Sequence, residues 1–218
     1  WAAGLAAHSR NIQVFATVHT AFNHPIVVAK QLATLDQLSN GRIGLNVVAG
    51  WNKPEYDAFG MDLPSDHSDR YAMAQEWFDY VTRLWREDSA FDWEGAFFNG
   101  KGVYGLPHPV QDRVPVINAA ASEEGRAFAM RNADFLFTPV FDCGQAKETV
   151  ADIKQNSRSV GRDVQVLTFC TVVCRPTQKE ADEYLDWYAN ENADWEAVDN
   201  LMSLQGMHAQ SFTKEALA

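Results

Sequence analysis

Residues 24–50, HPIVVAKQLATLDQLSNGRIGLNVVAG, constrain the fold more than any other stretch of this chain. Pro25 suits the first turn of a helix, where its missing N–H costs nothing, and apolar side chains then recur at helical spacing to Leu38. A three-residue Ser-Asn-Gly turn follows, and the apolar run RIGLNVV (42–48) reads as a strand. Helix and strand joined by so short a turn imply parallel strands linked by right-handed crossovers. The alternation repeats along the chain. Strands are predicted at residues 11–18, 43–48, 115–119, 135–138 and 164–174. Helices are predicted from Ser68, as cap, to Trp85, from Ser122 to Arg131, and from Lys147 to Val160, the last stopped by Gly161. Either an open doubly wound sheet or a (β/α)8 barrel accommodates this order. No Gly-x-Gly-x-x-Gly turn follows a strand, which weakens the dinucleotide-binding version.

In such proteins the residues just beyond the carboxyl ends of the strands build the site. The first strand is followed by His19, Asn23 and His24, and the second carries Asn46 and runs into Ala49-Gly50. The third ends in Asn118 to Ser122, the fourth in Thr138-Pro139, and the fifth holds Thr171. Glu55 and the Arg70-Tyr71 pair lie on the loop and helix start after the Asn46 strand. Ser122 stands at a helix start after three alanines, where free N–H groups and the helix dipole favour an anion. His19 and His24 are the candidate proton-transfer groups.

Composition bounds the partners. The 218 residues carry 29 acidic against 18 basic side chains, a formal charge of −11, which disfavours nucleic acid and anionic membrane. No 18-residue apolar run is present. Three cysteines are an odd number without metal-ligand spacing, so neither a disulfide framework nor a metal site is expected; buried, reduced thiols in a cytoplasm are. Two segments break the rhythm: residues 89–109 read as an aromatic, Gly-rich exterior hairpin, and residues 177–218 as an acidic helical insertion or lid.

Three blocks, 24–42, 46–71 with its Asn-Val-Val-x-Gly-Trp…Glu…His-x-x-Arg-Tyr pattern, and 115–138, resemble the bacterial luciferase-like flavin-dependent monooxygenases. The alkanesulfonate, dimethyl sulfone and pyrimidine monooxygenases are the nearest branch. The resemblance implies a TIM barrel. Five strands do not close eight, so the chain is expected to cover strands three to seven and part of the insertion, within a longer protein. It also implies reduced FMN and dioxygen as co-substrates, an NAD(P)H-dependent flavin reductase as partner, a small-molecule substrate and a homodimer or higher oligomer. By the same resemblance the flavin phosphate lies at Ser122, Arg70 and Tyr71, Asn46 and Glu55 hold ring and tail, and Trp51 and Phe22 line an apolar pocket.

One departure bears on substrate. Alkanesulfonate monooxygenases place Arg and His on the seventh strand, where this chain has Phe169 and Thr171, so a sulfonate would lack its cationic partner. The GWNKPEYDAFG stretch is more similar to the pyrimidine branch. The alternatives are a deazaflavin-dependent hydride-transfer enzyme of the same fold and a non-enzymatic flavin-binding member.

Overall fold

The computed structural model describes residues 1–120, 122–140 and 143–208. Helix α1 (Ala2–His8) leads into β1 (Val14–His19), then α2 (Pro25–Ser39), β2 (Ile43–Val48), the short α3 (Lys53–Ala58) and α4 (His67–Leu84). A hairpin of β3 (Phe91–Glu94) and β4 (Asn99–Val103) follows. After it come β5 (Val116–Ala119), α5 (Glu123–Asn132), β6 (Phe135–Phe137), α6 (Cys143–Ser159) and β7 (Gln165–Leu167). The chain continues as α7 (Gln178–Asp186), a π-helical turn (Trp187–Glu191) and α8 (Trp195–His208). No described helix is long and apolar enough to cross a membrane.

The five central strands run in the order β1-β2-β5-β6-β7, each parallel to the next. A doubly wound sheet reverses direction at a switch point; this one advances in chain order, as the wall of a (β/α)8 barrel does. Alternation along the strands separates two faces. Ile43, Leu45, Val47, Val116 and Leu136 are 0–1% exposed, on the side covered by helices. Register places Thr17, Asn46 and Ile117 side by side on the other face. Phe15, Phe135 and Phe137 share it, with Phe15 edge-on to Phe135 at 6.0 Å.

Local chemistry sets the helix boundaries. His24 caps α2 by accepting the Ile26 N–H at 3.3 Å, and Pro25 takes the first turn. Asn40 (φ 55°) and Gly41 (φ 76°) supply the left-handed exit to β2. Ser122 caps α5 through the Gly125 N–H. Helix α4 binds α2 through two indoles: Trp77 donates to the Asn23 carbonyl at 2.7 Å and Trp85 to that of Ala29 at 3.0 Å.

Several expectations shift. Asp66, not Ser68, caps α4: its carboxylate accepts the Ser68 N–H at 2.9 Å, so the helix starts two residues earlier. Strand β1 runs Val14–His19, so His19 ends the strand instead of following it. Helix α6 begins at Cys143, four residues before the expected start. The last predicted strand shrinks to Gln165–Leu167, because β7 pairs only with the three-residue β6 among the described residues. Cys170 and Cys174 therefore lie beyond it, and all three cysteines are free and exposed, where buried thiols were expected. Strands β3 and β4 pair antiparallel, and the residues beyond β7 form α7, the π-helical turn and α8 to His208; residues 209–218 lie outside the described set.

Candidate cofactor site

Eight buried side-chain polar atoms lack a hydrogen-bond partner among the described residues. Five of them, His19 Nε2, Thr20 Oγ1, Asn46 Oδ1, Asn118 Oδ1 and Thr138 Oγ1, sit on or just after the parallel strands. A buried polar atom left unpaired costs about 1–3 kcal/mol. Alternation puts His19 and Asn46 on the face shared with Thr17 and Ile117, where a bound molecule could pair with them, and Asn118 on the helix-covered face. The five fall at the carboxyl half of the sheet.

Asn46 projects from β2 beside Thr17 of β1. Its amide nitrogen donates to Thr17 Oγ1 at 3.1 Å, and its Oδ1 is a shielded acceptor. Register alone brings these two residues together, and nothing in the local sequence singles out Thr17.

Tyr71 and Ser122 meet at the start of α5. Tyr71 lies one turn into α4, its ring 5.7 Å from Phe128 of α5. Its hydroxyl stands against Gly125 and Ala120, directly at the turn that Ser122 caps. Burial raises the phenol to about 12, with Arg70 lowering it and Glu124 raising it. The hydroxyl is thus a proton donor at any working pH. Arg70 is only 2% exposed, and its Nη1 donates to the Pro64 carbonyl. Its charge acts on Tyr56 and Tyr71 together. Glu123 and Glu124, in the first turn of α5, suit the helix dipole but oppose a second anion, so Arg70 is the local counterweight.

His19 and Glu55 form a second group. His19 Nδ1 accepts the Ala21 N–H at 3.2 Å, so the neutral ring carries its proton on Nε2. Phe22 stacks on the imidazole at 4.0 Å, Phe59 stacks on Phe22 at 4.5 Å, and Tyr56 stands edge-on to His19 at 5.3 Å. Burial lowers the histidine pKa, and the exposed Glu55 carboxylate opposes that shift. Gly50, at φ 102°, lets the backbone pass between His19 and Tyr56; a Cβ there would come within 2.5 Å of both. Tyr56 was not foreseen. It is 1% exposed, and its hydroxyl donates to the Ala49 carbonyl at 3.3 Å. An aromatic residue in an otherwise polar short helix was the available signal.

The structure therefore brings Tyr71 and Ser122 together, sets Arg70 behind them, and gathers His19, Glu55 and Tyr56 at the ends of β1 and β2. It does not bring His24 in. That ring is exposed, spends Nδ1 on its own helix cap and lies edge-on to Phe98 of the hairpin. Trp51 is 46% exposed, and Phe22 faces His19 and Phe59. Thr171 is exposed beyond β7, while Phe169 stacks with Phe137 at 6.2 Å. The side chains of His67 and His208 lie outside the described set. Among the described residues, no group of three His, Cys, Asp or Glu could hold a metal ion.

The parallel sheet, advancing in chain order like the wall of a (β/α)8 barrel, carries Asn46, His19 and the Ser122 helix start toward its carboxyl ends. The family model described as luciferase-like monooxygenase matches residues 1–216, and the chain belongs to that family. It is similar to the pyrimidine monooxygenases RutA of Acinetobacter baylyi (35% identical over 214 residues, 96% of this chain and 57% of that protein) and Serratia proteamaculans (34% over 217 residues, 96% and 57%). The chain thus spans a little over half the length of these relatives. The solved EDTA monooxygenase EmoA from Chelativorans sp. BNC1 superposes over 99% of this chain and 57% of its own, with TM-score 0.82 at 23% identity. The riboflavin lyase RcaE, solved with modified FMN and riboflavin, covers 85% of this chain and 46% of its own, with TM-score 0.78 at 28% identity.

Proposed function

We propose that the whole protein is a two-component, FMN-dependent monooxygenase acting on a small neutral nitrogen heterocycle such as a pyrimidine. The observation that carries the cofactor assignment is the convergence of the Tyr71 hydroxyl and the Ser122 turn at the start of α5. That corner suits a phosphate monoester. The helix start offers positive partial charge, Ser122 and Tyr71 offer hydroxyls, and Arg70 stands behind them with a buried charge. The Asn46 amide, with Oδ1 unpaired, suits the imide edge of a flavin ring, and Glu55 sits where it can meet the tail.

Bound reduced FMN, replenished by an NAD(P)H-dependent flavin reductase, would supply the electrons that activate dioxygen. This chain's residues bind, orient and shield. Thr17 engages the Asn46 amide. Phe22, Tyr56 and Gly50 confine His19 as a neutral ring with its proton on Nε2, so a role for His19 in the reaction would be that of a hydrogen-bond donor. The site residues are thus His19, Asn46, Glu55, Arg70, Tyr71 and Ser122, with His24 kept as the cap of α2.

Two features support a neutral heterocycle. Just beyond β7 it is Phe169, not a cationic side chain, that faces Phe137. The relatives at 34–35% identity are named for pyrimidines. Those relatives also favour oxygen chemistry over hydride transfer with a deazaflavin. In the domain organisation proposed here, the five strands form one part of a barrel, residues 89–109 an exterior hairpin, and residues 177–218 a covering insertion.

The test is oxygen uptake by the full-length protein with reduced FMN from a generic reductase, across pyrimidines, sulfones and sulfonates. An oxidised pyrimidine product is expected. Uptake that yields only hydrogen peroxide with every pyrimidine, or product from a sulfonate alone, would overturn the substrate class.

A further inference from the structure

We propose that Gly125 is a positioning residue that makes the site prefer a phosphorylated flavin over an unphosphorylated one, because its missing side chain lets the Tyr71 hydroxyl stand at the start of α5. The inference rests on the phosphate placement argued above and goes beyond it by naming what holds that corner open.

A glycine inside a helix is disfavoured relative to alanine, so it requires a reason. Backbone conformation is not the reason here. Gly125 lies within α5, outside the left-handed region occupied by Gly41, Gly50, Gly60, Gly102 and Gly161. Space is. A Cβ on Gly125 would fall 2.5 Å from Tyr71 Oη, 3.0 Å from Tyr71 Cζ and 2.7 Å from the Ala120 Cβ. Distances below 3.0 Å are not tolerated between such atoms, so one of the three groups must move.

Ala120 is backbone-anchored next to β5, its N–H donating to the Phe137 carbonyl at 3.1 Å, so it gives little. The tyrosine is the mobile partner. Its ring is backed by Phe128, which is fully buried, so it can withdraw only by swinging away from α5. An added methyl group therefore displaces the hydroxyl from the anion corner, and relief of its 2.7 Å approach to the Ala120 Cβ falls on the first turn of α5. Burial keeps that hydroxyl protonated, so what would be lost is a hydrogen-bond donor. FMN and riboflavin differ only in the phosphate, so the ratio of their affinities reads this corner and little else.

The experiment compares dissociation constants for FMN and riboflavin, by flavin fluorescence, in the full-length protein and four variants: Tyr71→Phe, Gly125→Ala, their combination, and Ser122→Ala. Tyr71→Phe and Gly125→Ala are each expected to weaken FMN at least tenfold and riboflavin less than twofold. The combination should be no worse than either alone, because both remove one hydroxyl. Gly125→Ala weakening both flavins equally, or leaving FMN unchanged, would overturn the proposal. If Tyr71→Phe and Ser122→Ala leave the FMN-to-riboflavin ratio untouched, the phosphate placement itself fails and the proposal with it. If they lower the ratio and Gly125→Ala does not, only the role of Gly125 fails. Thermal unfolding of each variant reports whether the fold survives. Should Gly125→Ala not fold, the double variant carrying Ala120→Gly as well decides, since both overlaps below 3.0 Å are then gone. FMN affinity equal to that of Tyr71→Phe supports the proposal, and any further loss overturns it.

Discussion

His19 and Arg70 are two site side chains that burial sets apart. Burial lowers the pKa of His19, so in acid the unfolded chain takes up a proton before the folded one does. A group whose folded pKa is depressed contributes stability above its ordinary value, 6.5 here, and that contribution is lost as pH falls through the folded value. Denaturant unfolding is therefore expected to show a loss of stability on acidification below pH 6.5 that is diminished in His19→Gln. An identical pH profile in the two proteins would contradict the packed, neutral imidazole. Arg70 is buried to 2% exposure and acts on two tyrosines, so its charge is felt at the site without the guanidinium being spread over the surface. Arg70→Ala should raise the dissociation constant for FMN at least tenfold, about 1.4 kcal/mol. Equilibrium flavin titration, with thermal unfolding as control, checks this; an unchanged constant would remove Arg70 from the site. Ser122 was legible as a residue, since a serine before two glutamates is a local helix-start signal. Thr17, Tyr56 and Gly125 were not, because each matters through a partner 7 to 54 positions away.

At the scale of elements, the hairpin shows how one helix can organise a segment that its own sequence leaves loose. Glu76 of α4 accepts the N–H groups of Phe97 and Phe98, both at 2.9 Å, and the indole N–H of Trp93 at 3.2 Å. Tyr80, one turn further on, stacks flat on Trp93 at 4.4 Å, and the Arg83 guanidinium lies 3.9 Å over Phe91. One face of α4 thus carries β3 and β4, while Trp77 and Trp85 seat on α2. Burial pushes the Glu76 pKa up, but hydrogen bonds from Phe97, Phe98, Trp93 and Ala96 more than offset it, and the net shift is below the usual 4.5. The depressed value means that the anchor is present above pH 4.5 and lost as pH falls through the folded pKa. Amide hydrogen exchange at Phe97 and Phe98 should accelerate in Glu76→Gln at neutral pH, with exchange in β1 and β2 unchanged. Equal protection in both proteins would show that the hairpin stands without Glu76. The hairpin's existence could be read from its aromatic, Gly-rich composition. Its anchoring could not, because the contacts span 17 to 22 residues. Helix α7, by contrast, was written locally, as a Thr177–Glu180 capping box.

Across the whole molecule the two ends of the sheet divide their duties. At the amino ends, two buried or half-buried carboxylates gather the donors around them, with Arg162 Nε left unpaired among the described residues. Asp36, 0% exposed, accepts the N–H groups of Val110 and Gln111 at 2.8 and 3.0 Å and the Gln111 side chain at 2.7 Å. Gln111 in turn donates to the Ile43 carbonyl at the start of β2. Asp134 accepts the Val116 N–H at 2.8 Å and both Arg113 and Arg162 at 3.0 Å. At the carboxyl ends lie five of the eight unpaired atoms, and Gly50 and Gly125, which admit close approach. Asp36→Ala and Asp134→Ala should each lower stability by about 2–4 kcal/mol through orphaned buried donors, while leaving FMN affinity within twofold. Denaturant unfolding and flavin titration on the same preparations check both halves. A variant that loses flavin at unchanged stability would break the division.

What the chain determined locally is the alternation of helix and strand, the helix starts at Pro25 and Ser122, and the parallel α/β class, because periodicity and capping depend on neighbours within a turn or two. Tertiary structure decided that the sheet advances in one direction, that β7 stops at Leu167 and leaves the cysteines exposed, and that Tyr71 meets Ser122 across 51 positions of sequence. Those outcomes depend on crossover handedness, on strand register and on which side chain happens to be missing at a crossing point. Each is set by elements far apart in the chain.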